Sequence, residues 1–241
     1  MQNDHDMQAE QTHTLVAQTG VENSNCLVGS DGTAQEHPSY FFKLVVFLVE
    51  GTLFRLPRIL FEEQSSVFRD MFLLPPPGHE GGEEGTSSTN PIRLDGVKKS
   101  DFESFLGVLV PQALNPSRPE MTMQDWLRAL KVAGMWEFAS VRHTVIEALD
   151  HFKLTDVEKI IVDRDYDVPE WKMPAYTGLA MRKKALTADE MRALGLEFSE
   201  RMNQVREDVI RDGRYKYNDE RFCHEAVARV FGVGPVPVVP T

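Results

Sequence analysis

The chain of 241 residues is expected to fold as an α+β protein. The prediction is a small three-stranded sheet with a cluster of about five helices, followed by an all-α region. The run FFKLVVFLVEGTLF is rich in Val, Phe and Leu and is interrupted by Glu50-Gly51. It reads as two strands joined by a tight turn, because β-branched and aromatic side chains suit a pleated surface and Gly accepts the turn backbone. Ile92-Arg93-Leu94 alternates faces as a third short strand would. Elsewhere apolar residues recur at steps of three and four, the period of helices with one buried face.

The elements follow in order. Pro57 lacks the N–H that a strand uses and fits the first turn of a helix. Ser65 is a candidate N-cap for a second short helix burying Val67, Phe68, Met71 and Phe72. Ser100 and Glu103 have capping-box spacing ahead of Phe102, Phe105, Leu106 and Leu109. Pro111 ends that helix. Thr122 to Asp125 opens the next, with Met123, Trp126, Leu127 and Leu130 on one side, and Phe138, Val141, Val145 and Leu149 mark a third. Trp126 and Trp136 are read as core aromatics. Thr155 to Glu158 is a further capping box, leading into Val157, Ile160 and Ile161, and a segment punctuated by Pro169 and Pro174 follows. Thr187 to Glu190 is expected to start the longest helix, with a stripe of Met191, Leu194, Phe198, Met202, Val205 and Val209. A last helix spans Phe222 to Phe231.

Composition divides the chain. Residues 1–38 are polar and acidic and are expected to be disordered, 39–151 form the α+β domain, 152–231 are helical, and 232–241 are a flexible tail. Within the domain, residues 75–90 are dense in Pro, Gly, Ser and Glu and read as a mobile loop. Of the net charge of −11, −6 sits in residues 1–39 and −3 in 75–90, so the remainder carries −2. Such a body lacks the clustered cations of a phosphate-binding face, so no direct nucleic-acid contact is expected. Arg182-Lys183-Lys184 is most simply a solvated patch. Cys26 and Cys223 are too few for a disulfide framework or zinc site. The N-terminus has no secretory pattern and no run is apolar enough to span a membrane, which predicts a cytoplasmic or nuclear protein.

No catalytic constellation emerges. Asp163, Asp165 and Asp167 start like a calcium loop, but Val168 replaces the required Gly and Pro174 the required Glu. His224-Glu225 starts like a zinc-protease helix, but Ala228 stands where the second His belongs. His143 and His151 lack ligand partners at metal spacing, and His79 lies in the acidic loop. The expectation is no enzyme, no cofactor, no metal and no small-molecule substrate.

The series Phe54, Pro57, Leu60-Phe61, Ser65, Val67-Phe68 and Met71-Phe72, followed by IRLDGVKKSDFESFLGVL and WLRALKVAGMWEFASVRHTVIEAL, resembles a BTB/POZ domain. It is most similar to the type found as stand-alone proteins in fungi, which continues with helices like TDVEKIIVDRDYDVPEW. The resemblance implies the BTB/POZ fold over 39–151 and a non-enzymatic protein–protein interaction module that self-associates as a homodimer or scaffolds a partner. It also implies two alternatives, a substrate adaptor of a cullin-based ubiquitin ligase and a transcriptional co-regulator acting through a DNA-binding partner. Pro57 stands where the family usually has His. Residues 1–38 show no extra strand and helix of the strand-exchanging dimers, and the hydrophobic-x-Glu signature of cullin adaptors is missing, since Gly78, Gly81 and Gly82 precede Glu80, Glu83 and Glu84. Ile59, between positions the pattern buries, is the first candidate interaction residue. Phe42 and Phe47 come next, with a core role for all three at least as well founded.

Overall fold

The computed structural model describes residues 34–74, 83–211 and 220–233. The sheet is three-stranded with order β2-β1-β3, where β1 is Leu44–Val49, β2 is Thr52–Pro57 and β3 is Ile92–Arg93. Strands β1 and β2 are antiparallel in the register Val49↔Thr52 to Leu44↔Pro57, and β3 lies parallel to β1. Glu50 and Gly51 both have positive φ (42° and 77°), the backbone of a two-residue turn whose twist matches the strands it joins.

Backbone direction in this sheet is set by its second ladder. Val46 N–H donates to Gly85 O at 2.7 Å and Leu94 N–H donates to Leu48 O at 3.1 Å. The even-numbered residues of β1 therefore turn their backbone away from β2. Leu44 is one of them and pairs with Pro57, so the missing N–H of Pro57 costs the hairpin nothing. Pro57 thus ends a strand, and the first helix, α1 (Ile59–Glu62), starts after Arg58.

Helix α2 (Ser66–Leu73) is capped as its sequence predicts: Ser65 Oγ accepts from Phe68 N–H at 3.1 Å. The same hydroxyl donates to Trp136 O at 2.6 Å, tying the cap to a residue 71 positions away. Phe68 is buried and Met71 and Phe72 half-buried, but Val67 is exposed, because a helix of two turns offers the core only one narrow face. The expected mobile loop divides. Residues 75–82 lie outside the described residues, while 83–90 form a turn in which Gly85 N–H donates to Asn90 O at 2.7 Å. Gly85 has φ +82°, and a Cβ there would stand 2.8 Å from Ile92 Cδ1, so only Gly fits.

Three helices complete the first core: α3 (Lys99–Leu109), α4 (Met123–Met135) and α5 (Ala139–Asp150). The Ser100–Glu103 box does not form. Helix α3 begins two residues earlier than that box would start it, and its Lys99 N–H is taken by the Glu50 carboxylate at 2.8 Å, a cap supplied by the hairpin turn. Asp101, 5% exposed, binds Lys131 Nζ of α4 at 2.8 Å. The Thr122–Asp125 box does form. Trp136 is buried as expected, whereas Trp126 is half-buried.

The remaining helices are α6 (Asp156–Tyr166), α7 (Pro169–Met181), α8 (Ala188–Leu194), α9 (Leu196–Arg211) and α10 (Glu220–Phe231). Capping boxes start α6 and α8 at Thr155 and Thr187. The proline-punctuated segment is a helix, since Pro169 takes the N-terminal position that suits it and Pro174 forfeits a single ladder bond. The long stripe predicted from Met191 to Val209 is two helices. Gly195, at φ +89°, breaks it, leaving Met191 exposed and Met202, Val205 and Val209 buried.

The second hydrophobic core gathers Met173, Tyr176, Leu179, Met202, Val205, Cys223 and Val227. Helix α6 serves both cores: Val162 joins the first with Val168 and Trp171, and Val157 and Ile160 join the second. The boundary drawn at residue 151 thus falls inside the packing of the first core. From Phe42 onward the described residues cluster as one unit. Residues 34–41 make their own turn, with Phe41 N–H donating to His37 O at 3.1 Å.

Ser65→Ala removes a helix cap and leaves a buried carbonyl without its donor. It is expected to cost about 2–3 kcal/mol in urea unfolding. Ser100→Ala, at a box that is not made, should stay within about 0.5 kcal/mol.

Candidate protein-interaction surface

Ile59 opens α1 and is 43% exposed, while the neighbouring Phe61 is fully buried. The short helix turns only one side inward, so Ile59 is left on the outside. Its polar surroundings are built by Arg58. That guanidinium lies 4.2 Å from the centre of the Phe72 ring and bonds Glu62 at 2.6 Å and Glu83 from the acidic loop. The site is an apolar residue rimmed by an ordered charge cluster.

Phe42, 57% exposed, reaches the same place from the other arm of the hairpin. Arg58 N–H donates to Lys43 O at 2.9 Å, so Phe42 and Ile59 flank one hydrogen bond. Leu44 is also exposed beside them. Phe47 does not belong to this surface. As an odd-numbered residue of β1 it turns to the helices, and its ring lies 4.9 Å from Phe61, 5.7 Å from Phe68 and 5.8 Å from Phe102. With no exposed area it is a core residue, and its place among interaction candidates is corrected. Sequence alternation does not say which face of a strand is covered, which is why Phe42 and Phe47 read alike beforehand.

A second feature, missed by the sequence reading, is the half-open cavity of about 830 Å³ between β2 and α3, bounded on a third side by the connection that runs from α3 to α4. Phe54, Leu56, Leu106 and Val110 line its apolar part, and Arg118 and Arg128 stand at its margins with Glu103, Glu120 and Asp125. Arg118 is held there by hydrogen bonds to the carbonyls of Gly107 and Val110, and Arg128 by Asp125 at 2.9 Å.

Burial pushes the Cys223 thiol up to about 11, so at neutral pH it is protonated, and it packs in the second core. Burial and the nearby Asp163 push the Tyr176 hydroxyl up to about 12. Asp163, Asp165 and Asp167 diverge. Asp163 is buried with its Oδ1 unpaired and Lys172 3.6 Å from the other oxygen, Asp165 pairs with Arg164 at the surface, and Asp167 ends α6 in the left-handed conformation. Burial raises the Asp163 carboxyl above the usual range. His143 is exposed beside Glu147 at 3.3 Å, and His151 Nδ1 donates to Glu147 O at 2.9 Å. His79 and Cys26 lie outside the described residues. Among the described residues no three His, Cys, Asp or Glu side chains converge as metal ligands, and no helix is long and apolar enough to cross a membrane. No family model matches the chain, and no curated protein matches it.

One pH dependence follows from the Arg182–Glu190 pair. Both Glu190 oxygens accept from Arg182 (2.7 and 2.8 Å), and Thr187 N–H adds a bond at 2.7 Å. These hold the carboxyl at about 2 against an ordinary 4.5. A depressed carboxyl stabilises the fold above its unfolded value, and that contribution is lost as pH falls toward the folded value. The stability gap between wild type and Glu190→Gln should be constant above pH 4.5 and close between pH 4.5 and about 2, read from urea midpoints along a pH series.

Proposed function

We propose that the chain is a non-enzymatic protein-interaction module of the BTB/POZ type, working inside the cell by self-association or by scaffolding a partner. The observation that supports this reading most is the order of elements from β1 to α5. A hairpin, two short helices, a parallel third strand and three further helices follow one another as the resemblance implies. The Ser65 cap and the buried Phe61 and Phe68 occupy the positions that carry that resemblance. The exposed Phe42 and Ile59, rimmed by Arg58 and Glu62, have the apolar-centre, polar-edge character of an interface.

A second reading, a cullin adaptor, draws support from helices α6 and α7, which pack directly behind the first core. Against it stands the acidic loop, whose Glu83 is engaged by Arg58 and follows Gly81 in place of an apolar residue.

The test is a tagged pull-down of the full chain from native extract, read by mass spectrometry, beside Ile59→Glu. A stoichiometric partner, or a second copy, recovered about ten-fold less with the variant is expected for an interface at this position. A cullin in the recovered set selects the adaptor reading, and a DNA-binding protein the co-regulator. Full recovery with Ile59→Glu removes Ile59 from the interface, and a monomer without any stoichiometric partner overturns the module reading.

A further inference from the structure

We propose that the outer edge of β2 takes up an extended segment of a partner protein with an apolar–acidic–apolar sequence, which adds a fourth strand to the sheet. This rests on the interaction-module reading and names the surface and the partner chemistry.

The first ground is the direction of the backbone groups. Strand β2 is an outer strand in the order β2-β1-β3. Val46 and Leu48 spend their backbone groups on the far side of β1, so their hairpin partners Arg55 and Leu53 form the wide pairs of the ladder. The N–H and C=O of Leu53 and Arg55 therefore point outward. Both residues are exposed, and neither makes a backbone bond beyond the hairpin among the described residues. Edges of this kind template strand addition unless they are guarded.

The second ground is what lies beside the edge. Phe54 and Leu56 alternate with Leu53 and Arg55 and so face the other side of the sheet, where the cavity of about 830 Å³ opens against α3. A strand laid along β2 with one residue opposite Arg55 directs that residue to the outer face. Its two neighbours then point into the cavity, beside Phe54, Leu106 and Val110. The cavity lining asks for apolar side chains at those two positions.

Charge decides the middle residue. Arg55 forms no ion pair among the described residues, and directly opposed charges on adjacent strands attract or repel. An Asp or Glu opposite Arg55 is favoured, and a Lys or Arg is excluded. A second copy of β2 fits less well. Antiparallel pairing about Arg55 sets two arginines face to face, and pairing of Leu53 with Arg55 leaves both arginines without a partner. In either case Phe54 and Leu56 are already packed against their own core and cannot fill the facing cavity. Arg55 and the Pro57 terminus thus guard the edge against indiscriminate pairing and leave it selective for an acidic strand.

The experiment titrates the full chain, 15N-labelled, with the peptide Ser-Thr-Val-Glu-Val-Thr-Ser and with its Glu→Lys counterpart, following amide shifts. The Leu53 and Arg55 amides should move together with Leu106 and Val110, and binding of the Glu peptide should exceed that of the Lys peptide about ten-fold. Arg55→Glu, at an exposed position that leaves the fold intact by circular dichroism, should reverse the preference. Leu53→Pro, which deletes an outward N–H without touching a hairpin bond, should abolish both. Equal binding of the two peptides, no shifts at these amides, or a charge reversal that changes nothing overturns the proposal. So does concentration-dependent dimerisation lost in Arg55→Glu, which assigns the edge to a second copy. A partner recovered equally by wild type and Arg55→Glu in the pull-down leaves the module reading standing and overturns the edge.

Discussion

The packing of aromatic rings on Phe68 is the constraint on which the first core depends. Phe47 of the hairpin, Phe61 of α1, Trp136 at the end of α4 and Phe138 at the start of α5 all place their rings within 6 Å of it. Elements from residue 47 to residue 138 are thereby fixed by one side chain, and edge-to-face contacts leave little freedom in how they approach. The Ser65 hydroxyl beneath this cluster orients it: the group that caps α2 also takes up the carbonyl of Trp136. Cap and core are one arrangement. The candidate surface inherits its geometry from there, because Phe61 inward leaves Ile59 outward.

Much of this was legible in the residues. The boxes at Thr122, Thr155 and Thr187 carry both partners within four residues, so local chemistry suffices to read them. The hairpin turn, the Ser65 cap and the final helix are local in the same sense. Two of the failures share a cause in distance along the chain, and the third is local. Helix α3 ignores its own Ser100 because Glu50, far away in sequence, reaches its first N–H. The loop expected to be loose is held over 83–90 because Gly85 fits between Val45 and Ile92. The stripe through Met191 kept its period across Gly195, and periodicity alone does not see a residue that turns the backbone.

The candidate surface was legible only in part. Ile59 could be placed because a resemblance supplied the positions on either side. Phe42 and Phe47 could not be told apart, since the covered face is chosen by the helices that pack on the sheet, and their Phe61, Phe68 and Phe102 lie farther along the chain. The outward backbone of β2 had no trace in side-chain types at all. It follows from which neighbour β1 has on its other side, a fact of sheet order.

Helix α6, with Val162 in one core and Ile160 in the other, has a consequence for how the molecule comes into being. A chain emerging from the ribosome holds the hairpin and five helices long before Trp171 appears, and until then the first core lacks one wall. Closing that wall commits the opposite side of the same helix to the second core. The two cores are therefore coupled through α6: a change that loosens the packing of Val162 should be felt at Ile160 as well. Unfolding of the second core would strip the first of the wall that α6 and Trp171 supply.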